Sequence, residues 1–154
     1  LFFGIKLVRG AYMEKERARA AAKNYEDPIQ KNKNASDAAY DAALDYCVAN
    51  LADISICAGT HNENSSMHLV NLMAQHGIAS NDRRVYFSQL LGMSDNLSYN
   101  LSEAGYNVAK YVPYGPVKKV LPYLFRRAEE NTAIAGQMGR ELSLIVAEQR
   151  RRKG

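Results

Sequence analysis

The sequence predicts an α/β protein with a parallel sheet. Strand-like and helix-like segments alternate four times along the 154 residues, and the connections between them suit parallel strands. The composition, with 47% hydrophobic and 23% charged residues, is that of a globular domain with a core. Two architectures accommodate this order of elements, a doubly wound sheet and part of a (β/α)8 barrel, and the order alone does not decide between them.

The length of the chain bears on the barrel interpretation. A complete (β/α)8 barrel needs about 250 residues, so that interpretation implies that about half of the barrel is missing. The chain opens at Leu1, without a methionine and directly in a strand-like segment. We therefore expect a truncation upstream of the four βα units.

The first elements follow from local composition. Apolar residues run from Phe2 to Val8, interrupted only by Gly4 and Lys6, which predicts a strand. The segment Met13–Lys23 is rich in Ala, Glu, Lys and Arg and predicts a helix. Pro28 and its polar neighbours make residues 24–34 a loop.

The next helix is predicted to begin at an N-cap, Ser36 or Asp37, and to run to about Leu51. The remaining elements alternate in the same way, with glycines at helix C-caps. We predict strands at 54–59, 84–88 and 108–112, and helices at 63–76 (before Gly77), 94–104 (before Gly105), 116 to about 135, and 140–151.

Composition and charge exclude several classes of protein. No apolar run approaches the ~20 residues of a membrane-spanning helix, and no nucleic-acid-binding motif is present. Much of the net charge of +4 comes from the run Arg150–Lys153, which is either a solvated tail or a contact with an anionic membrane surface. Cys47 and Cys57 lack metal-ligand spacing, so we expect no metal and a reducing compartment.

The chemistry is expected at the carboxyl ends of the strands, where parallel sheets and barrels bind their ligands. At all four predicted strand ends, small residues stand next to polar and aromatic ones, which favours a large, flat ligand with polar edges. These ends are Gly10–Tyr12, Gly59–Asn62, Gln89–Met93 and Tyr111–Pro116.

Two basic residues near these ends have alternative interpretations. Lys6 shares a strand face with Gly4 and Val8. If that face lines a barrel, the lysine must meet a ligand or a charged partner there. If the strand is an edge strand, the lysine reaches solvent instead. His61 follows a strand and is either a ligand contact or a satisfied structural histidine. No second His, Cys or carboxylate stands at metal-ligand spacing from it.

Arg126 and Arg127 are adjacent in the long predicted helix, and Arg127 shares a helix face with Tyr123 and Glu130. Adjacent arginines suit the capture of a carboxylate or a phosphate through bidentate hydrogen bonds. They also occur as a solvated pair, and spacing alone leaves both interpretations open. The nearby Tyr111 favours a closed pocket.

Five segments in this order resemble FAD-dependent proline dehydrogenases, and the resemblance covers essentially the whole chain. It is closer to the monofunctional type than to the bifunctional bacterial enzymes. The family fold is a distorted (β/α)8 barrel, so the resemblance implies that residues 1–154 are the C-terminal half, about four βα units, of one catalytic domain. The segments are KLVRGAY (6–12), GTHN (59–62), QLLGM (89–93), YVPYGP (111–116) and YLFRRAEEN (123–131).

The resemblance also implies roles for individual residues. Arg126 and Arg127 would hold the substrate carboxylate. The residues that would wall the proline ring are Tyr12, Leu91, Tyr111 and Tyr123. The residues that would surround the flavin are Lys6, Val8, Gly10, Ala11, Thr60, His61, Asn62, Gln89, Arg127 and Glu130.

Two departures from the family pattern matter. Bifunctional members carry an arginine at the position of Lys6, and a lysine donates as a point charge without the guanidinium fork. The family's substrate site also uses a lysine and an aspartate from the first half of the barrel, which these residues do not include.

The implied reaction is the oxidation of L-proline to Δ1-pyrroline-5-carboxylate. A hydride passes from the ring carbon beside nitrogen to FAD N5, and the electrons pass on to a quinone in a membrane. The implied location is the cytoplasmic face of the bacterial inner membrane, which we prefer, or the matrix side of the mitochondrial one.

The chain by itself is expected to be inactive and to form a homo-oligomer through its open sheet edges. Two other functions stay open. One is a barrel enzyme that binds a phosphate through the arginines, and the other is a non-catalytic fragment that only oligomerises.

Overall fold

The computed structural model of the chain describes residues 3–10, 12–132, 143 and 146–152. The chain divides into two compact units, Leu1–Lys110 and Tyr111–Gly154. The first unit holds nearly all of the sheet and four helices. The second holds one long helix, and residues 146–152 are also helical.

The sheet has four strands in the order β1-β2-β3-β4, which is also their order along the chain. The strands are β1 (Phe3–Val8), β2 (Ile54–Gly59), β3 (Val85–Leu90) and β4 (Val108–Tyr111). β1 pairs parallel with β2, and β2 pairs parallel with β3. A doubly wound sheet reverses its strand order at a switch point, whereas a barrel adds each strand beside the last. The observed order therefore supports the barrel alternative.

Five helices are described with their bounds. They are α1 (Met13–Lys23), α2 (Lys33–Ala49), α3 (Glu63–Gln75), α4 (Asp95–Glu103) and α5 (Val117–Thr132). α5 contains Pro122, which has no backbone N–H for the preceding turn. No helix in the described ranges is long and apolar enough to cross a bilayer.

The core lies between one face of the sheet and the helices of the first unit. Side chains alternate along each strand, so Ile56 and Phe87 point into this layer, where they are 2% and 0% exposed and meet Leu44 and Leu69. Fully burying one such side chain contributes about 1.5–3 kcal/mol. In β1, Ile5 and Leu7 pack against the same core. The alternate residues of β1 therefore face the opposite side of the sheet, which we call the inner face; they are Gly4, Lys6 and Val8.

Most predicted elements are confirmed, and α1 and β2 have the predicted bounds. The predicted N-cap of α2 is wrong. The helix begins at Lys33, because Asn32 is the cap and its side chain accepts a 2.9 Å hydrogen bond from the Ala35 amide. Asp37 instead pairs with Arg9 and Lys33. α2 also ends at Ala49, two residues before the predicted end.

The third strand is longer than predicted. It continues past Ser88 to Leu90, and the Gln89 side chain in this extension is buried and hydrogen-bonded. The predicted ends at Phe2 and Ala135 lie outside the described residues.

Candidate active site

The inner face of the sheet carries rows of side chains that the strand register places side by side. Lys6 is the partner of Cys57, and Cys57 is the partner of Tyr86. One step nearer the carboxyl ends, Val8 lies beside Gly59. Val8 is 53% exposed, so this end of β1 is open to a ligand.

The segment after β2 is held by its own side chains and by the helices. Thr60 is 5% exposed, and its Oγ1 accepts a 3.1 Å hydrogen bond from the Asn62 amide. Asn62 is the N-cap of α3 and accepts from the Ser65 amide at 3.2 Å. His61 Nδ1 lies 3.0 Å from Ser94 Oγ at the start of α4. The three residues that the resemblance assigned to the flavin thus form one ordered turn.

Gln89, also assigned to the flavin, lies behind this turn. Its side chain is 2% exposed. Its Nε2 donates to the Thr60 carbonyl at 3.2 Å, and its Oε1 accepts from Ser98 Oγ of α4 at 3.0 Å. These contacts bind the turn after β2 to α4. A direct flavin contact by Gln89 stays a prediction.

The segment after β3 is held by a lysine from the neighbouring strand. Lys110 Nζ donates to the Met93 carbonyl at 2.8 Å and to Asp95 Oδ1 at 2.7 Å. Gly92 has a φ of 77°, in the left-handed region that favours glycine. Leu91, an expected wall of the substrate pocket, is 59% exposed.

The segment after β1 contains Gly10 with a φ of 72° and Tyr12 with a φ of 60°. Tyr12 is the N-cap of α1 and its side chain is 61% exposed. Ala11, assigned to the flavin, lies outside the described residues.

Arg9, in the same segment, was not among the residues singled out from the sequence. It pairs with Asp37 of α2, and its Nη2 donates to Thr60 Oγ1 at 2.6 Å and to Ser65 Oγ at 3.1 Å. Its guanidinium carbon lies 4.5 Å from the centre of the Tyr40 ring. The sequence does carry a signal: Arg9 continues the alternation of Ile5 and Leu7 and is a charged residue on the core side.

The second unit carries the remaining residues to which the resemblance assigns a role. The rings of Tyr111 and Tyr123 are in edge-to-face contact, with centroids 5.8 Å apart and planes at 61°. Such aromatic pairs add about 0.5–1.5 kcal/mol beyond their buried area. Arg126, Arg127 and Glu130 belong to α5, and their side chains lie outside the described residues. Their assigned roles stay predictions.

Among the described residues, no group of three His, Cys, Asp or Glu side chains is arranged to hold a metal ion.

Comparison with known proteins points to one family. The proline dehydrogenase profile matches residues 1–140. The human protein named proline dehydrogenase 1, mitochondrial, is 48% identical over 153 residues, which are 97% of this chain and 26% of the human one. Hydroxyproline dehydrogenase of Xenopus laevis is 45% identical over 156 residues, which are 99% of this chain and 34% of the relative.

Solved structures give the same result for the fold. Proline utilization A (PutA) from Bdellovibrio bacteriovorus, inactivated by N-propargylglycine, matches with a TM-score of 0.76 and 28% identity over 84% of this chain and 13% of that one. A mutant of PutA from Bradyrhizobium japonicum matches with a TM-score of 0.69 at the same identity and coverage. The predicted fold class, a parallel α/β sheet that forms part of a distorted barrel, is confirmed.

Proposed function

The chain belongs to the proline dehydrogenase family, and we propose that the complete enzyme containing these residues oxidises L-proline to Δ1-pyrroline-5-carboxylate with FAD as cofactor. The chain spans about a quarter of the human relative, 26% of its length. The activity is therefore proposed for the complete enzyme, and the chain by itself is expected to be inactive. That all 154 residues form part of one catalytic domain stays a prediction.

One observation carries this proposal. Three family-like segments, 6–12, 59–62 and 89–93, begin in the last residues of three neighbouring strands of one sheet and continue past their carboxyl ends. They meet at the carboxyl ends of those strands, the edge where parallel sheets bind their ligands. A resemblance without functional meaning would not be expected to place all three segments at this one edge of the sheet.

The residues at this edge fit a flat cofactor with polar edges. No heavy atom lies within 4 Å of the place that a Cβ would take at Gly10 or Gly92, so both segments leave open space. Val8 offers an exposed apolar surface, Lys6 lies on the same face of β1, and His61 follows the neighbouring β2. When bound there, FAD would supply the redox chemistry, accepting the hydride at N5 and passing the electrons to a quinone.

The tasks of the protein are binding and orientation. Arg126 and Arg127 would hold the carboxylate of proline through charge-assisted hydrogen bonds. The exposed side chains of Tyr12 and Leu91 would confine the ring. A carboxylate held in this way fixes the orientation of the whole ring, including the carbon on the other side of the nitrogen that gives up the hydride. Such positioning lowers the barrier for transfer.

The test uses the complete enzyme. We expect it to purify with bound FAD, and we expect L-proline without oxygen to bleach the visible flavin absorbance. Pyrrolidine is the matched control because it has the ring without the carboxylate, and it should leave the flavin oxidised. A protein without flavin that binds inorganic phosphate would support the alternative barrel enzyme instead.

The electron acceptor and the cellular location of the complete enzyme are also proposals. Relatives from human and Caenorhabditis elegans are named mitochondrial, and similar structures come from bacteria. We propose a quinone acceptor, reached from the matrix side of the mitochondrial inner membrane or from the cytoplasmic face of the bacterial one. The preference for a bacterial source stays a prediction.

Peripheral membrane association through the basic C-terminal run also stays a prediction. Arg151 and Arg152 pair with Glu148 at 2.7 and 2.9 Å. Part of the positive charge of the run is therefore balanced within the same helix.

A further inference from the structure

We infer that Arg9, together with Asp37, is a positioning residue that holds the segments after β1 and β2 in the arrangement that binds the flavin. The inference rests on the proposed function, because it takes FAD as the ligand of these segments. It concerns a residue to which neither the family resemblance nor the strand-end pattern assigned a role.

The contacts of Arg9 join three elements. Its Nη1 pairs with Asp37 in the first turns of α2. Its Nη2 donates to Thr60 after β2 and to Ser65 in the first turn of α3, at 2.6 and 3.1 Å. These partners stand 28, 51 and 56 residues away along the chain, so one guanidinium fixes three distant segments relative to β1.

The Arg9 side chain lies on the core side of the sheet, opposite the face that is expected to bind the flavin. Along β1, Ile5 and Leu7 pack into the core, and Arg9 continues that face toward α2 and α3. Val8 and Gly10, its neighbours on both sides, are flavin residues by the resemblance, and Val8 lies on the inner face of β1. Moving Arg9 would therefore move the flavin-facing backbone without removing a group that touches the flavin.

Asp37 completes the arrangement. Its side chain is 23% exposed and that of Arg9 is 18% exposed. Asp37 also accepts from Asn62 Nδ2 at 3.4 Å and from Lys33 Nζ at 2.5 Å. The Arg9–Asp37 pair thus contacts both Thr60 and Asn62, the residues on either side of His61. A guanidinium suits this task because its planar fork serves several acceptors at fixed angles, whereas a lysine is a point charge.

The pair also sets the hydrogen-bonding role of Thr60. The Oγ1 of Thr60 accepts from Arg9 at 2.6 Å and from the Asn62 amide at 3.1 Å. A hydroxyl has two acceptor sites and one hydrogen. With both acceptor sites used, Thr60 interacts with any further group only as a donor.

The Tyr40 ring packs against the Arg9 guanidinium. The ring is 5% exposed and lies under Arg9 at 4.5 Å, a cation–π contact in a desolvated place. Burial raises the pKa of the Tyr40 hydroxyl, so this ring stays neutral beneath the charge. The phenol oxygen has no hydrogen-bond partner in the part of the chain that the structure describes.

The test compares two arginine variants in the complete enzyme. In Arg9→Met we expect the Kd for FAD to rise roughly tenfold to a hundredfold, the range seen when groups that orient a site are removed. We also expect the visible spectrum of the flavin to change when FAD is saturating. The second measurement matters because a loss of stability alone does not alter the spectrum of the bound form.

Arg84→Met is the matched control. Arg84 also pairs with an aspartate, Asp82, and also reaches a distant backbone carbonyl, that of Leu51 at 3.3 Å. It stands just before β3, at the amino end of the sheet and away from the flavin-facing segments. This variant should lower Tm and leave the Kd and the spectrum of FAD unchanged.

A double variant tests whether Arg9 acts through Thr60. If it does, Arg9→Met combined with Thr60→Val should weaken FAD binding no more than the worse single variant does. If the two residues act independently, the losses of binding free energy in the two single variants should add up in the double variant. Should Arg9→Met fail to fold, Arg9→Lys and Ser65→Ala replace it. Each keeps part of the network, and each should raise the Kd for FAD by a smaller factor.

The outcomes separate the two hypotheses. A wild-type enzyme without bound flavin would refute the proposed function. A wild-type enzyme with flavin, beside Arg9 variants that bind FAD with unchanged affinity and spectrum, would overturn the positioning role alone.

Discussion

The Lys6 side chain crosses the face of Gly59 on the neighbouring strand. A Cβ at Gly59 would lie 3.2 Å from Lys6 Cε, 3.0 Å from Val8 Cγ1 and 3.0 Å from the Leu7 carbonyl oxygen. These distances are tighter than ordinary van der Waals contact, so the neighbouring atoms would have to shift by a few tenths of an ångström, and the Leu7 oxygen is a backbone atom. The absence of a side chain at Gly59 therefore leaves room for the Lys6 side chain on the inner face.

Gly59→Ala should displace Lys6 and strain β1. Overpacking of this kind costs about 1–3 kcal/mol of unfolding free energy, and we expect weaker FAD binding in the complete enzyme as well. Gly4→Ala is the matched control, because it lies in the paired strand and no heavy atom lies within 4 Å of its Cβ position. Its effect should stay within about 0.5 kcal/mol. Equal effects of the two variants in denaturant titrations would contradict the steric explanation.

Arg126→Met and Arg127→Met should each raise the KM for L-proline. Loss of a hydrogen bond to a charged group costs about 1.5–3 kcal/mol, which corresponds to roughly tenfold to over a hundredfold. Steady-state kinetics of the complete enzyme measures this, with Arg151→Met as control because Arg151 pairs with Glu148 instead. Normal proline binding in both variants would show that the carboxylate is held elsewhere.

Tyr111→Ser should lower proline turnover and narrow the preference for proline over 4-hydroxyproline. The Tyr111 ring packs edge-on against Tyr123, so its removal opens space and replaces the phenol by a small hydroxyl. The ratio of kcat/KM for the two substrates measures the change. Tyr99→Ser, at a 71% exposed tyrosine of α4, is the control. A ratio that stays at the wild-type value in Tyr111→Ser would refute the specificity role.

Asp82 should contribute to stability at neutral pH and lose that contribution in acid. Hydrogen bonds from the Arg84 side chain lower the pKa of Asp82 from 3.8 to about 2. A group whose pKa is lower in the folded state stabilises it above the unfolded pKa, and the effect disappears as the pH falls from about 3.8 toward 2. The Tm difference between wild type and Asp82→Asn should therefore shrink over that interval. A difference that does not depend on pH would contradict this.

The 154-residue chain, expressed by itself, should form a homo-oligomer. β1 and β4 are the outer strands of its sheet, and Phe3 and Val8 on β1 are 63% and 53% exposed. Open apolar edges pair with other chains, and a closed dimer is the simplest result. Sedimentation measures the mass in solution, and a stable, well-folded monomer would contradict the prediction.

The sequence by itself determined the elements that depend on local signals. α1 and β2 were predicted with their observed bounds, because helix-forming composition and short apolar runs act within a few residues. The edge of the sheet that carries the site was also predictable, because parallel strands bring their carboxyl ends together. The predicted start of α2 was wrong because several polar residues nearby are acceptable caps, and composition did not single out Asn32 among them.

The tertiary structure alone decided where the key side chains act. Arg9 was missed because its partners Asp37, Thr60 and Ser65 are far away in sequence, and no local pattern encodes such distances. The strand order that separates a barrel from a doubly wound sheet also depends on long-range pairing. Composition and periodicity act over a few residues, whereas these contacts form only when packing brings separate segments together, so the sequence pattern identifies the strands and the fold decides which side chains meet.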